Sequence, residues 1–334
     1  MKKLRILYLC GTIALIISTI VAFNLINGFE NENRTRPVIS NHNSMIDPSR
    51  VKISKDIVQE QEEETRSSSI FTLDMHVDAP YAGIYNSDGY EIFGKNSDDK
   101  VPMASTTKIL TAATALEYLP KNIIMTVGYE LDLVKPGSSL CYLAKGQQLS
   151  LYDALIGLLL PSGNDAAYVI ASNTTDYILK NNNLNSAKKV EFFCVMMNKQ
   201  AEMYGVENSN FVNPEGWDDP NHYTTVQDLA IITANAMKIP TIREIVAMPK
   251  ARTLIYSGET LSVKNTNPLI QVGGPYYREN AIGVKTGSTS EAGKCLVGMI
   301  SDNGLEYIVI ALGCDGYKSR NQSIVDMIDT ITIG

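Results

Sequence analysis

The chain has 334 residues, 44% of them hydrophobic and 19% charged, with a formal net charge of −7. This is ordinary globular composition, enough for one large domain or two smaller ones, and it excludes a fibrous or low-complexity protein. The acidic balance argues against nucleic acid as the main partner.

Lys2, Lys3 and Arg5 precede an uncharged run from Ile6 to Ile26, whose 21 residues suffice to span a bilayer as a helix. The basic flank predicts an N-terminus inside and everything downstream exported. No small-x-small cleavage site follows, which favours an uncleaved anchor over a cleaved signal peptide. Residues 1–27 are therefore read as membrane anchor or signal peptide. Residues 28–70, rich in Asn, Glu, Ser and Arg, read as a flexible stalk, and 71–334 as the folded domain.

From about Ala79 two β-rich runs flank Asn86-Ser87-Asp88-Gly89, a hairpin signal. The stretch PMASTTKILTAATAL (Pro102–Leu116) opens a helix to about Tyr118, with Ser105 and Lys108 three apart on one face. SLYDALIGLLL has helical spacing and stops at Pro161. Ser162-Gly163-Asn164 link it to a second helix from Asp165, which Ser162 and Asn164 also suit as caps. Ser186–Gly205 reads as an amphipathic helix with Ser186 as N-cap. NPEGWDDPNHYTT is a loop, in which Trp217 and His222 read as packing residues, and a helix spans about Val226 to Met237. After Leu254 the chain turns to strands, AIGVKTG, KCLVGMI and LEYIVIALG, before a last helix from about Ser319 to Ile331. Strands at both ends with helices between them give an α+β fold class: an antiparallel sheet flanked by helices, with an inserted helical cluster.

Five cysteines at 10, 141, 194, 295 and 314 form no Cys-x-x-Cys pair and read as buried small hydrophobes. Three histidines, His42, His76 and His222, leave little for a histidine-based metal cluster or triad. No metal and no organic cofactor is implied, since phosphate-cradling glycine loops and metal-ligand spacings are absent.

A serine hydroxyl needs a base beside it, and lysine serves only if burial or a nearby cation lowers its pKa, by up to about 3–5 units. Ser-x-x-Lys occurs three times. Ser49–Lys52 lies in the stalk, where nothing desolvates the lysine, and a helix cap explains Ser186–Lys189. Only Ser105–Lys108 is followed in order by Ser162-Gly163-Asn164 on an inter-helix loop and Lys285-Thr286-Gly287 on a strand. Those three motifs are the set of penicillin-binding proteins and serine β-lactamases. The literal Ser301-Asp302-Asn303 falls after Lys-Thr-Gly, in a hairpin turn, and reads as structural.

Beyond the motifs, SLYDALIGLLLPSGNDAA, FVNPEGWDDPNHYTTVQDLA, NTNPLI and GVKTGSTSEAGKCLV make roughly residues 70 to 334 resemble the serine-type D-alanyl-D-alanine carboxypeptidases, the low-molecular-mass penicillin-binding proteins. Many members carry a small β domain and an amphipathic anchor after the catalytic domain. This chain ends soon after its last helix, a departure that bears on membrane attachment rather than chemistry.

The resemblance implies Ser105 as nucleophile on the penultimate D-alanine carbonyl and Lys108 as its base. It implies Ser162 as proton relay to the leaving amine and Asn164 as hydrogen-bond partner of Lys108 and the substrate amide. Lys285 keeps Lys108 neutral and attracts the substrate carboxylate, which Thr286 binds. The N–H groups of Ser105 and Ser288 form the oxyanion hole, aided by the helix dipole at Ser105. Gly283 and Gly287 let a peptide lie close to the strand edge, and Arg320 is a candidate second carboxylate ligand. The implied partners are peptidoglycan stem peptides ending in D-Ala-D-Ala, β-lactam antibiotics as acylating inhibitors, and the membrane through the N-terminal segment. The catalytic domain is expected on the extracytoplasmic side. Two alternatives stand beside this reading: a β-lactamase with Glu215 or Glu191 as deacylating base, and a catalytically silent wall-binding or penicillin-sensing module.

Overall fold

The structure, a computed structural model, describes residues 75, 77–180 and 183–332. The readings of an anchor, a stalk and Ser49–Lys52 fall outside the described residues. Among the described residues no helix is long and apolar enough to cross a membrane.

Strands β1 (Tyr81–Asn86) and β2 (Glu91–Lys95) form the expected hairpin, closed by Gly89 at φ +88°. Three long strands from the other end complete the sheet: β7 (Ala281–Thr289), β8 (Gly293–Asp302) and β9 (Leu305–Cys314). The order β2-β1-β9-β8-β7 is antiparallel throughout, so β7 is an edge strand. Ser301-Asp302-Asn303 does lie at the β8–β9 hairpin, with Asn303 at φ +48° and Gly304 at +82°.

The apolar runs of β8 and β9 reflect burial on both faces. Leu296, Ile300, Val309 and Ala311 pack with Ile324, Met327 and Ile328 of the final helix α7 (Tyr317–Thr332). The alternate residues Val297, Met299, Ile308 and Ile310 face the helical core. The two-residue period of a strand assigns these sets to opposite faces, so the sheet needs helices on both sides.

That second layer holds α1 (Lys108–Tyr118), α2 (Leu151–Leu159), α3 (Asn164–Leu179), α4 (Ser186–Met203), α5 (Val226–Met237) and α6 (Pro240–Val246). Caps set several starts: the Ser150 hydroxyl accepts from Asp153 N at 3.1 Å, and Thr225 accepts from Asp228 N at 3.0 Å. The cap of α4 is Asn185, which accepts from Lys188 N at 3.0 Å, not Ser186. Lys189 pairs with Asp176 at 2.6 Å, which removes the third Ser-x-x-Lys from consideration. At α3 the expected caps are also corrected. The N-cap is Gly163, and Asn164 is already helical with its side chain turned elsewhere. Two strand pairs sit outside the main sheet: β3–β4 (Ile124–Thr126, Gln148–Ser150), which was not foreseen, and the hairpin β5–β6 (Lys250–Leu254, Thr260–Lys264), whose second strand lies in the β character expected after Leu254. β3 and β4, at three residues each, are too short to carry an alternating pattern, whereas Thr260–Lys264 alternates with Leu261 and Val263 buried. Cys141, Cys194, Cys295 and Cys314 are free and buried.

Candidate active site

The site is built around a strained turn. Ala104–Thr107 form a 3₁₀ turn leading into α1, so Ser105 precedes the helix and Lys108 opens it. Ala104 sits at φ +49°, a left-handed conformation that costs an L-residue about 1–2 kcal/mol. Several contacts hold it there. Thr107 Oγ1 donates to Ala104 O at 2.8 Å. The backbone N–H of Val212 donates to His222 Nδ1 at 3.1 Å, which places the proton of this ring on Nε2. Nε2 then donates to Thr107 Oγ1 at 2.8 Å. Burial lowers the His222 pKa to about 4, so the ring is a neutral link in this chain at neutral pH. Sequence reasoning left His222 as loop packing; nothing local in a loop histidine says which hydroxyl it will meet.

Two glycines press on the same turn. Gly216, at φ +90°, has its missing Cβ position 1.9 Å from Ala104 O. A Cβ on Gly287 would lie 3.0 Å from both Ser105 N and Ala104 Cβ. Gly287 therefore lets β7 approach the nucleophile turn rather than serving the substrate alone. Gly283 faces α6, with its Cβ position 2.8 Å from Val246 O, and its expected role toward a substrate peptide is corrected to helix packing.

Lys108 is 0% exposed, and its Nζ donates to Ser105 Oγ at 2.8 Å, Asn164 Oδ1 at 2.8 Å and Glu215 O at 2.7 Å. Burial lowers its pKa from 10.5 to about 7, against the opposing pull of Glu215 and Asp165. A neutral amine has one lone pair and needs one donor. Neither the Asn164 amide oxygen nor the Glu215 carbonyl can donate, so Ser105 Oγ–H is the one partner able to turn its proton toward Nζ. The geometry aims the base at the nucleophile. Asn164 is fixed in that orientation because its Nδ2 donates to Ser138 Oγ at 3.0 Å.

Lys285 is 1% exposed on β7, and its Nζ donates to Thr286 O at 2.9 Å. Its pKa lies well below the ordinary value through burial first, then the charges of Lys108 and Arg320. For Lys108, burial alone accounts for the lowering, and the expected contribution of Lys285 is not among its causes. Thr286 Oγ1 shares a 2.6 Å hydrogen bond with Thr266 Oγ1. Arg320 is buried at the start of α7, with Nε and Nη2 donating to Asn321 Oδ1 and the guanidinium over the Tyr317 ring. Among the described residues none of Lys108, Lys285 and Arg320 has a carboxylate partner within salt-bridge distance. Lys285 and Arg320, buried without a paired carboxylate and close enough for the Arg320 charge to lower the Lys285 pKa, favour an anionic ligand.

Ser162 is buried on a left-handed turn at φ +67°, two residues before Asn164. Its hydroxyl makes no hydrogen bond among the described residues. Ser288 lies further along the β7 edge and accepts from Lys294 Nζ at 2.6 Å. A cleft of about 180 Å³ brings together Ser105, Ser138, Asn164, Gly216, Trp217 and Ser288. Trp217 forms a wall under the Lys135 ammonium, 5.1 Å from its ring centre. Of the carboxylates weighed as deacylating bases, Glu191 is exposed and paired with Lys188, while the Glu215 carboxyl turns to the Tyr168 hydroxyl at 2.8 Å. The β-lactamase alternative is not favoured.

Comparisons with known proteins bear on this arrangement. The model of the D-alanyl-D-alanine carboxypeptidase family matches residues 84–316. D-alanyl-D-alanine carboxypeptidase DacF of Bacillus subtilis is 28% identical over 244 residues, 72% of this chain and 58% of that protein. The D-alanyl-D-alanine carboxypeptidase of Streptomyces sp. strain K15 is 31% identical over 70% of this chain and 80% of its own length. The crystal structure of the Streptomyces K15 DD-transpeptidase superposes with a TM-score of 0.68 at 29% identity, covering 76% of this chain and 97% of that one. The chain thus spans little more than half the length of the Bacillus relative and most of the Streptomyces one.

Proposed function

We propose that this chain, which belongs to the D-alanyl-D-alanine carboxypeptidase family, removes the terminal D-alanine from peptides ending in D-Ala-D-Ala through an acyl-serine on Ser105. The observation that carries this reading is the Lys108 amine, sealed from solvent and hydrogen-bonded at 2.8 Å to Ser105 Oγ.

Ser105 Oγ passes its proton to neutral Lys108 and attacks the carbonyl carbon of the penultimate residue. The oxyanion is met by the N–H groups of Ser105 and Ser288. Collapse breaks the C–N bond. The proton returns from Lys108 through Ser162, by rotation of its hydroxyl, to the nitrogen of the leaving D-alanine. Water then attacks the ester carbonyl and gives a proton to Lys108, and collapse breaks the bond to Ser105 Oγ as Lys108 returns that proton to it, restoring the hydroxyl and the neutral amine. Lys285, Thr286 and Arg320 hold the terminal carboxylate, while Asn164 and the β7 edge hold the substrate amide. With a β-lactam the leaving nitrogen stays tethered to the acyl group, and the acyl-enzyme persists. Export of the domain, with Ile6–Ile26 as membrane anchor, rests on the basic flank and length of that run.

Incubating the full chain with diacetyl-L-lysyl-D-Ala-D-Ala is expected to release D-alanine, and a penicillin is expected to add its mass to the peptide carrying Ser105. Absence of both would leave the silent-module alternative standing.

The pH dependence follows from the sign of the Lys108 shift. The neutral amine is the base and its pKa is about 7. Acylation kcat/KM should therefore fall about tenfold per pH unit below that value and level off above it. A limb near pH 10 in place of 7 would contradict the buried base.

A further inference from the structure

Glu215 meets Lys108 through its main chain: its carbonyl accepts the Nζ bond at 2.7 Å. Its own carboxyl belongs to the same residue and is close enough for its charge to act on that nitrogen. The carboxyl is sealed in, the residue being 2% exposed. Oε1 accepts from Tyr168 of α3 at 2.8 Å, and Oε2 has no hydrogen-bond partner. A buried carboxyl with a half-empty set of partners adds little as a structural brace, because its desolvation is only partly offset.

The surrounding groups do not take over its charge. Asp165 of α3 accepts from the N–H groups of Cys141, Leu143 and Ala166. Lys285 of β7 bonds Thr286 O, and Lys135, whose charge lowers the Glu215 pKa less than that of Lys108 does, stands over Trp217. His222 is neutral in its loop, and burial keeps the Cys194 thiol of α4 protonated. Lys108 is the cation closest in bonding to Glu215.

We propose that Glu215 is a positioning residue whose buried carboxyl, tied to Tyr168, sets the pH at which Lys108 becomes a base. The proposal rests on Lys108 being the base for Ser105. An ionised Glu215 stabilises the Lys108 ammonium, and a neutral one releases it, so the two titrate as a pair. Burial raises the Glu215 pKa, the Tyr168 hydrogen bond and the Lys108 charge lower it, and Glu215 in turn raises that of Lys108.

The test is the pH profile of acylation by a chromogenic cephalosporin on the full chain, for parent, Glu215→Gln and Tyr168→Phe. Glu215→Gln keeps the side-chain shape and the backbone carbonyl. It should move the acid limb to lower pH by about one unit, making the variant up to about tenfold faster than the parent below that limb. Tyr168→Phe removes a bond that favours ionised Glu215, so its limb should move the same way by less. As a readout independent of turnover, the carbon-13 Cε shift of Lys108 should titrate at correspondingly lower pH in both variants. A limb and a Lys108 titration that stay put in both variants, with rates reduced equally at all pH, would mean a merely structural Glu215 and overturn the proposal. If Lys108 titrates as expected in all three proteins but none is acylated, the reading of the site as an acyl-transfer centre fails, and this role for Glu215 with it.

Discussion

Replacing Lys108 with alanine is expected to lower acylation by about 10²- to 10⁴-fold, the range lost with a general base, while the chain still folds. The informative companion is Lys108→Arg. Arginine keeps the positive charge beside Asn164 and the Glu215 carbonyl but cannot lose its proton, so it preserves a cation and abolishes a base. Equal loss in both variants, read with a fluorescent penicillin and checked by circular dichroism, assigns the role to proton transfer. Acylation retained by Lys108→Arg would instead assign Lys108 to charge stabilisation.

A second readout separates the cost of this lysine from its use. Its pKa falls from 10.5 unfolded to about 7 folded. Between those values the unfolded chain holds more protons than the native one, so the parent gains stability as pH rises across that window. Lys108→Met lacks this gain. The stability of the parent relative to Lys108→Met should therefore improve from pH 7 toward pH 10, measured as a difference in melting temperature. A difference independent of pH would mean that the native lysine is not titrated as burial predicts.

The second large effect is expected at Gly216, outside the three motifs. Alanine there places a methyl group where Ala104 O already stands, 1.9 Å away, on a residue at φ +90°. Backbone cannot yield as a flexible side chain would. The 213–217 loop is tied by Asn213, whose Oδ1 accepts from Gly216 N and Trp217 N and whose Nδ2 donates to Trp217 O. The left-handed conformation alone costs alanine about 1–2 kcal/mol, and the clash adds to it. Relief requires the Ala104–Ser105 turn to shift. Misplacement of a nucleophile by about 1 Å can cost about 10²-fold in rate. Gly216→Ala should therefore lose about 10²-fold or more in acylation together with several degrees of melting temperature. Normal activity in this variant would show that the loop gives way without moving Ser105.

These expectations show which parts of the molecule local chemistry can announce. The order Ser105–Lys108, Ser162–Asn164, Lys285–Gly287 was legible because residue spacing decides which side chains share a helix face or a strand. The runs KCLVGMI and LEYIVIALG were likewise legible as strands, while the division of their side chains between two covered faces came only with the helices packed on each side. The Ser-x-x-Lys matches could be sorted by context, although the cap of α4 proved to be Asn185, one residue before the expected Ser186.

What remained hidden depends on long-range approach. Gly287 meets Ser105 across 182 positions of sequence, and His222 meets Thr107 across 115. No local propensity encodes such a meeting. The depressed pKa of Lys108 is of the same kind. Three residues fix that Ser105 and Lys108 are neighbours, but only the layers packed over α1 remove the water that would keep the amine charged. The sequence by itself determined the chemistry available; the tertiary structure decided the solvent exclusion, the backbone strain at Ala104 and the company of Glu215, because each is a property of surfaces brought together rather than of residues in a row.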